Sequence, residues 1–406
     1  MNELSYPLEG IRVLALEQFI AGPLCSMWLG DMGAEVIKIE TPGIGDPRRK
    51  FPPMLGDAKG EQISGGFMAY NRNKKSVTLN LKSEEGRRLY KELVAKSDIV
   101  VENLKPGTVD RLGLGYDVLK QVNPRIIYAA LSGFGRLENL RGPYSDRPAF
   151  DAVVQAMGGV MHRIGEEDGP PMLAVAGTAD RLSAMVTGYA IFAALFMRER
   201  TGKGQFVDTA MYDSTMILNE AAISMYSMTG KVLSRGKDEL YAPVGAFKVK
   251  DGWIGLIIPG EDMWERFAQA IGRADLAEHP QCKGSQVRAR NYKNFLKPIV
   301  DTWMASHTRE EVVQILLEHG VPSGYVQTSA DLFTCPQVAA RHMLVEVNDP
   351  IAGPVKFANN PFRLSAAADK TPVPPPRLGE HNDEILTAVL GYGASEVARL
   401  KQTKVI

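Results

Sequence analysis

The sequence predicts an α/β fold: a large domain with an open, parallel, Rossmann-like sheet, and a smaller α+β domain inserted into it. Residues 11–40 alternate strand, helix and strand, as a parallel βαβ unit does. The segments SVTLNL, DIVVEN and RIIYAAL continue that alternation as far as residue 131. After residue 228 the pattern changes to an antiparallel hairpin, which predicts a second domain.

The first βαβ unit consists of IRVLAL, a turn that leads into a helix, and EVIKIE. Glu40 follows the turn by about 20 residues, as the acidic residue of a dinucleotide site does. The turn itself, QFIAGP, lacks the G-x-G-x-x-G fingerprint that lets a backbone approach pyrophosphate. The sequence therefore argues against NAD.

The next segments predict both regular structure and a candidate site. Residues 41–64 are rich in Gly and Pro and predict a long surface loop. Ser83, followed by two glutamates, predicts the start of a helix. Residues 132–169 interrupt the alternation directly after a strand. Ligand sites of open α/β sheets lie beyond the carboxyl ends of strands, so this segment is a candidate site.

A mostly buried helix is predicted from about Arg181 to Arg200, because large apolar residues recur there at helical spacing. Asp180 lies at its N-terminus, where unpaired N–H groups and the helix dipole keep a carboxylate ionised. Such a residue is either a helix cap or a nucleophile, and the helix pattern alone leaves both open.

The inserted domain is expected at residues 229–325, between a first large-domain segment, 1–228, and a return segment, 326–406. Its hairpin turns at Asp251–Gly252, and its last helix begins with a capping box of Thr308 and Glu311. The proline run Pro372–Pro376 is expected to carry the chain back to the large domain.

The composition is that of a globular protein without a global charge. Of 406 residues, 45% are apolar, and Lys plus Arg and Asp plus Glu both number 47, so nothing draws the chain to nucleic acid or an anionic membrane. Three widely spaced cysteines, Cys25, Cys282 and Cys335, indicate neither disulfides nor a metal site and fit the cytoplasm. The start lacks a secretion signal, and the most apolar run, 184–197, is shorter than a membrane span.

Seven motifs, taken in order, resemble those of the class III CoA-transferases, the family of formyl-CoA transferase and carnitine CoA-transferase. They are AGPLCSMWLGDMGAEVIKIE, NRNKKSVTLNLK, VENLKPGTVDRLGL, the loop LSGFG...GPY...FD...QAMGG, GTAD, TGKGQFVD and PRLGEHNDEIL. The resemblance implies transfer of CoA from an acyl-CoA to a carboxylic acid, with CoA as a substrate and no cofactor bound permanently. It also implies an interlocked homodimer.

In that family the carboxylate before the long helix is the covalent nucleophile, and it matches Asp180. An aspartate that attacks a thioester gives a mixed anhydride and the CoA thiolate. The thiolate then forms an aspartyl-CoA thioester, and an acceptor acid reverses the sequence. Each oxyanion needs hydrogen-bond donors such as the N–H groups of a glycine loop, and water must be excluded.

The resemblance also matches residues that contact CoA. They belong to four segments at or after the ends of predicted strands: Gln18, Ile20 and Ala21; Leu79, Leu81 and Lys82; Asn103, Leu104, Lys105 and Arg111; Ser132, Phe134 and Gly135. Formyl-CoA members carry Gln at the position of Ile20, and Gln18 is a candidate substitute. Lys105, Arg111, Lys74 and Lys75 suit phosphates, although the last two also fit solvated charges on a strand edge.

Other positions leave alternatives open. The family's glycine-rich lid corresponds to Ile258–Glu261, which has one Gly and also fits an ordinary strand-to-helix turn. Related racemases carry His before Asp where this chain has Phe150 and Asp151, and His162 lies off that motif. A non-enzymatic acyl-CoA binding protein would not need Asp180. Four polar residues of the loop suggest a second carboxylate on the substrate, as in succinyl-CoA: Tyr144, Ser145, Arg147 and Arg163.

Overall fold

The computed structural model describes residues 6–236 and 240–406, which form two compact units. The larger unit contains the chain up to Met161, Leu173–Glu220 and Ala340–Ile406. The smaller unit contains His162–Met172 and Ala221–Ala339. The domain bounds at residues 228 and 325, and the insertion of one domain into the other, stay predictions.

The strands and helices follow one another in the order that the alternation suggests. The first part of the chain contains β1 (Arg12–Leu16), α1 (Ala21–Asp31), β2 (Glu35–Glu40), β3 (Met54–Gly56), β4 (Gln62–Ser64), α2 (Gly65–Asn71), β5 (Lys74–Thr78), α3 (Glu84–Ala95), β6 (Ile99–Glu102), α4 (Thr108–Arg111), α5 (Tyr116–Val122), β7 (Ile127–Ser132), α6 (Asp151–Met157), α7 (Val160–Arg163), α8 (Thr178–Thr201), β8 (Phe206–Ala210), α9 (Met211–Ile217) and α10 (Glu220–Thr229). The rest contains β9 (Val244–Val249), β10 (Gly252–Ile257), α11 (Glu261–Ala270), α12 (Ser285–Asn291), α13 (Lys297–Ala305), α14 (Arg309–Glu318), β11 (Ser323–Tyr325), α15 (Ser329–Thr334), α16 (Pro336–Ala340), β12 (Leu344–Asp349), β13 (Gly353–Ala358), α17 (Asn382–Ala388) and α18 (Ala394–Gln402).

Six strands of the larger unit form a parallel sheet in the order β5-β2-β1-β6-β7-β8, which confirms the predicted α/β class. Successive residues of β1 face opposite sides of this sheet. Leu14 belongs to a core that includes residues of α3, α17 and α18, and Val13 to a core that includes residues of α1 and α8. The carboxyl ends of all six strands meet at one edge, so the loops that follow them lie near one another.

Two local predictions need correction. The predicted loop of residues 41–64 contains the β3-β4 hairpin and a 3-10 turn over Pro47–Lys50. Helix α8 begins at Thr178 rather than near Arg181, because Gly177 at φ 80° turns the chain directly before it. This difference places Asp180 inside the helix, as its third residue.

The smaller unit contains a three-stranded antiparallel sheet in the order β11-β10-β9. Its β9-β10 hairpin pairs Lys248 with Trp253, and the predicted capping box of Thr308 and Glu311 is present at α14. Trp264 and Phe267 of α11 are buried in its core.

Helix α8 is long and apolar enough, by length and composition, to cross a membrane, which no other helix of the described ranges is. Ala184, Ile191 and Ala194 of α8 are buried against the sheet with residues of β1, β6 and β7. Core helices pass the same test of length and composition. The prediction of a mostly buried helix is wrong, however: seven of the 24 residues of α8 are buried, on the face that packs on the sheet, while Tyr189 and Phe196 are exposed.

Candidate active site

A cleft of about 850 Å³ opens at the carboxyl edge of the parallel sheet. Seven residues that the resemblance matched to CoA line it: Gln18, Leu79, Leu81, Lys82, Leu104, Lys105 and Arg111. The C-terminal residues Lys404 and Ile406 line it as well, which the sequence did not reveal. Lys82, Lys105 and Lys404 are exposed and have no acid partner within residues 6–236 and 240–406. The cleft is therefore a local cationic site on a chain without net charge.

The turn after β1 forms one wall of this cleft and is held by hydrogen bonds. The Asn103 side chain accepts from Gln18 N at 2.8 Å and donates to Gln18 O at 2.9 Å. Phe19 has φ 64°, a left-handed conformation that is costly for a bulky residue, and its N–H donates to Asp46 Oδ1 at 3.2 Å. Asn103, matched to CoA by the resemblance, thus supports the turn and is absent from the cleft lining.

A buried charge network lies directly behind this turn. Glu17 Oε1 is 2.7 Å from Lys74 Nζ and accepts from Ser26 Oγ at 2.7 Å. Lys38 Nζ lies 3.0 Å from Asp46 Oδ2 and 3.6 Å from Glu17 Oε1. Burial lowers the pKa of Lys74 to about 8, although the Glu17 charge opposes that shift. Buried charges persist only when partners offset their desolvation, as these four charges do.

The lysines that were considered for phosphate binding are engaged elsewhere. Lys74 is buried against Glu17, so its ammonium is not available to CoA. Lys75 lies 2.7 Å from both Glu35 and Glu384. The prediction fails for Lys74 because its acid partner lies 57 residues away in sequence. The edge position of β5 gave no sign of that partner.

Asp180 does not cap its own helix. The carboxylate of Asp151, the first residue of α6, accepts from Gly177 N and Ala179 N, both at 2.8 Å. A second helix thereby supplies the capping acid, and the Asp180 carboxylate remains available for other contacts. Sequence reasoning had quoted Asp151 in the transferase loop motif and in the racemase motif, and had given it no capping role.

The environment of Asp180 favours its protonated form more than the sequence suggested. Burial and, to a smaller extent, the charge of Asp151 raise the pKa of Asp180 to about 6, while the charges of Arg181 and Arg48 oppose the shift. The sequence led us to expect that the helix terminus keeps Asp180 ionised. The raised pKa shows that the ionised form is less favoured than expected. A carboxylate with a pKa near 6 is still mostly ionised at neutral pH, and it is less solvated than a surface carboxylate.

Two of the remaining matched residues, Ala21 and Phe134, lie near the start of α8. Ala21 and Ala179 belong to one small apolar cluster, and Phe134 packs against it. Ile20 is the N-cap residue of α1 and packs on the main core. Ser132 Oγ accepts from Gly135 N at 3.0 Å, which closes the turn after β7. The matched residues thus form a cleft group and a group next to Asp180.

Two arginines and a tyrosine that sequence reasoning had not assigned to the site surround Asp180. Arg181 Nη2 donates to Tyr70 Oη at 3.3 Å, and Arg181 Nη1 to Ala176 O at 2.7 Å. The Arg48 guanidinium carbon lies 5.2 Å from the centre of the Tyr70 ring. The signal for Arg48 was its position in a Gly- and Pro-rich loop, which indicates function but names no residue.

The candidate lid and the candidate second-carboxylate residues have ordinary roles here. Ile258–Gly260 joins β10 to α11, and Glu261 binds Arg288 at 2.8 Å, so these residues form a strand-to-helix turn. Arg163 donates to Ser234 O within the smaller unit. The Arg147 guanidinium stacks on Tyr144 at 4.2 Å, with Arg147 exposed.

No group of three or more potential metal-ligating His, Cys, Asp or Glu residues occurs in the described part of the chain. His162, considered for a racemase, belongs to the smaller unit. Phe150, at the position of the racemase histidine, packs edge to face on Phe19 at 5.9 Å. The motif position therefore holds an aromatic contact, and an imidazole base is missing from it.

Comparison with known proteins defines the class as CoA-transferase. The model of CoA-transferase family III matches residues 8–382, and the chain therefore belongs to this family. The succinyl-CoA:mesaconate CoA-transferase of Haloarcula hispanica is 37% identical over 96% of this chain and 98% of its own. The succinyl-CoA–D-citramalate CoA-transferase of Chloroflexus aurantiacus is 36% identical over 98% of both chains.

A solved structure supports the same assignment. The crystal structure of a CAIB/BAIF family protein from Brucella suis has a TM-score of 0.82 and 33% identity, and covers 95% of this chain and 100% of its own. The predicted family and the predicted enzyme class are thereby confirmed. The non-enzymatic alternative is set aside, and these relatives favour the transferase over the racemase.

Proposed function

We propose that this enzyme transfers CoA between carboxylic acids through covalent intermediates on Asp180. The observation that carries the proposal is the Asp180 carboxylate, which the capping role of Asp151 leaves free and which burial partly desolvates. Asp180 attacks the thioester carbonyl, which forms an acyl-aspartyl anhydride and releases the CoA thiolate. The thiolate attacks the aspartyl carbonyl, releases the donor acid and leaves an aspartyl-CoA thioester. The acceptor carboxylate attacks the carbonyl of this aspartyl thioester and displaces the CoA thiolate, which forms a second mixed anhydride. The thiolate then attacks the acceptor's carbonyl in that anhydride, forms the new acyl-CoA and releases the free Asp180 carboxylate.

The cleft is proposed to hold the nucleotide part of CoA. Lys82, Lys105 and Arg111 provide charge for its phosphates, and Leu81 and Leu104 provide apolar surface for adenine, whereas Leu79 is buried in the core. The group next to Asp180, which contains Ala21 and Phe134, is proposed to border the pantetheine arm. This division agrees with the two spatial groups described above.

The acids are proposed to be dicarboxylic. The relatives named above pair succinyl-CoA with mesaconate or D-citramalate, and all three acids have two carboxylates. We further propose an interlocked homodimer in the cytoplasm, with a smaller domain inserted into a larger one, as the family resemblance implies. Which dicarboxylic acids serve as donor and acceptor is a question for an assay of paired substrates.

Trapping of the acyl-enzyme tests the proposal. Incubation with succinyl-CoA and hydroxylamine is expected to convert Asp180 to a hydroxamate that peptide mass spectrometry locates, with loss of transfer activity. Asp213→Asn is a matched control, because Asp213 is also the third residue of its helix and burial also raises its pKa. Asp180→Asn is expected to abolish labelling and transfer, and Asp213→Asn to preserve both. Transfer by the Asp180→Asn enzyme at the wild-type rate would refute the covalent role.

A further inference from the structure

Arg48 is an arginine whose side chain forms no ion pair with an acid of the described ranges. It lies in the 3-10 turn Pro47–Lys50, which Asp46 caps by accepting from Arg48 N at 2.9 Å. Its guanidinium carbon lies 5.1 Å from the ring centre of Phe51 and 5.2 Å from that of Tyr70. Nε donates to Gly66 O at 3.0 Å, and neither terminal amino group has an acceptor within residues 6–236 and 240–406.

The neighbouring arginine shows what a structural role looks like in the same turn. Arg49 Nε and Nη2 lie 2.8 Å and 2.6 Å from the two oxygens of Glu40, and Nη1 donates to Pro376 O at 3.0 Å. All three nitrogens of the Arg49 guanidinium therefore bind acceptors of the protein. Arg48 keeps both terminal amino groups for another acceptor, and a planar guanidinium binds a carboxylate through two parallel hydrogen bonds.

Contacts connect Arg48 to the reacting carboxylate. Tyr70, on which Arg48 stacks, accepts a hydrogen bond from Arg181, and Arg181 directly follows Asp180. On the other side, Phe51 packs on Phe19 at 6.1 Å, and Phe19 packs on Phe150, the residue before Asp151. These contacts thus link Arg48 to residues next to Asp180 and Asp151.

The electrostatic compensation of the Arg48 charge changes during the proposed reaction. In the free enzyme the ionised Asp180 offsets part of that positive charge. When Asp180 becomes an anhydride or a thioester it is neutral, and the half-buried guanidinium loses that compensation. An acyl group with a second carboxylate restores it, and a monocarboxylic acyl group does not.

We propose that Arg48 binds the carboxylate of a dicarboxylic acyl group that does not react, and thereby makes the enzyme prefer dicarboxylic acids. The proposal rests on the function proposed above and assigns the substrate class to one side chain. Arg147, favoured by sequence reasoning, is the rival, but it is exposed, and solvent weakens an ion pair at such a position.

The test compares succinate with butyrate, which has a methyl group in place of the second carboxylate. Exchange of labelled succinate into succinyl-CoA and of labelled butyrate into butyryl-CoA gives the ratio of kcat/KM values. The assay is run at pH 8.5, so that Asp180 is ionised in every variant. Arg48→Gln is expected to lower the succinate-to-butyrate ratio by at least about tenfold, because it removes a charged bidentate contact.

Two further variants control for folding and for the rival. Arg48→Lys keeps the charge without the planar fork, so the ratio is expected to fall by at least about threefold even if Arg48→Gln does not fold. Arg147→Gln is expected to leave the ratio within about twofold of wild type. A ratio that Arg48→Lys and Arg48→Gln leave unchanged overturns the proposal. So does a fall of the ratio in Arg147→Gln alone, or a wild-type enzyme that uses butyrate as well as succinate.

Two measurements separate this proposal from the others. Titration calorimetry with free CoA is expected to give the same Kd for wild type and Arg48→Gln, and a tenfold loss would assign Arg48 to CoA phosphates instead. Hydroxylamine labelling of Asp180 with an unchanged substrate ratio refutes only the Arg48 assignment. Full transfer activity of Asp180→Asn together with a ratio that depends on Arg48 refutes only the covalent role of Asp180.

Discussion

The partly buried Asp180 carboxylate is expected to lower the stability of the folded protein at neutral pH. Its pKa is 3.8 in an ordinary setting and about 6 in the fold, so the folded state binds its proton more tightly than the unfolded state. A shift of about two pKa units corresponds to about 3 kcal/mol in the free energy of unfolding. Asp180→Asn removes that cost, because an amide carries no charge to desolvate.

The sign of the effect depends on pH. Below pH about 4 the carboxyl is protonated in both states, and Asp180→Asn should change stability little. Between pH about 4 and 6 the ionised form accumulates first in the unfolded state, so the wild type loses stability relative to the variant. Above pH about 6 the difference should be constant at up to about 3 kcal/mol.

Urea unfolding followed by circular dichroism checks this prediction at pH values from 4 to 8, at one protein concentration so that assembly does not vary. Both proteins are compared at each pH, and the difference between their unfolding midpoints is the measured quantity. An Asp180→Asn protein that is less stable than wild type at pH 8, or a difference that does not change with pH, would refute the reasoning.

Three other results are expected. In the wild type, kcat/KM should fall about tenfold per pH unit well below pH 6, because Asp180 must be ionised to react. Asp151→Asn should move this acidic fall in kcat/KM to lower pH, because it removes a charge that raises the pKa of Asp180. The same variant should lose about 1 kcal/mol of stability, because Asp151 caps helix α8. Lys105→Gln should raise the KM for acyl-CoA about threefold with kcat unchanged, and Lys203→Gln, outside the cleft, should not. Lys74→Met should destabilise the fold by about 3–5 kcal/mol, because it leaves a buried carboxylate uncompensated.

Each of these has a contrary outcome. A flat pH profile between 5 and 7 contradicts the ionised nucleophile, and an upward shift in Asp151→Asn contradicts the repulsion between the two acids. Equal KM values for the Lys105 and Lys203 variants remove the cleft as the phosphate site. A Lys74→Met protein that unfolds at the same urea concentration as the wild type would show that the buried ion pair of Lys74 and Glu17 is dispensable.

The larger unit's sheet was predictable because its signals are local. A short run of β-branched residues indicates each strand. The alternation of strands with helices implies a parallel sheet, which the observed β5-β2-β1-β6-β7-β8 sheet confirms. The hairpin of the smaller unit was equally local, since Asp251–Gly252 specifies its turn. Asp180 was singled out by its helix position and by the resemblance together.

The parts that sequence did not reveal depend on contacts between distant residues. Asp151 lies 28 residues before Ala179, whose N–H it caps, so nothing near Asp180 indicated that the cap came from elsewhere. The partner of Lys74, Glu17, lies directly after β1 and far from β5 in sequence, so the edge position of Lys74 suggested that it faces solvent. Arg48 differs from Arg49 only in what the folded chain brings to it, and two adjacent arginines look alike in sequence.

The charge network behind the β1 turn also limits how the enzyme can be altered. Lys38, Lys74, Glu17 and Asp46 are buried and their charges balance, so replacing any one of them alone leaves an excess buried charge. A substitution of one of these four residues must therefore be combined with a substitution of an oppositely charged one. Under the proposal for Arg48, redesign toward new acids is therefore better directed at Arg48 than at this network or at Arg49, because the Arg48 side chain is not part of an ion pair within the described residues whereas Arg49 pairs with Glu40.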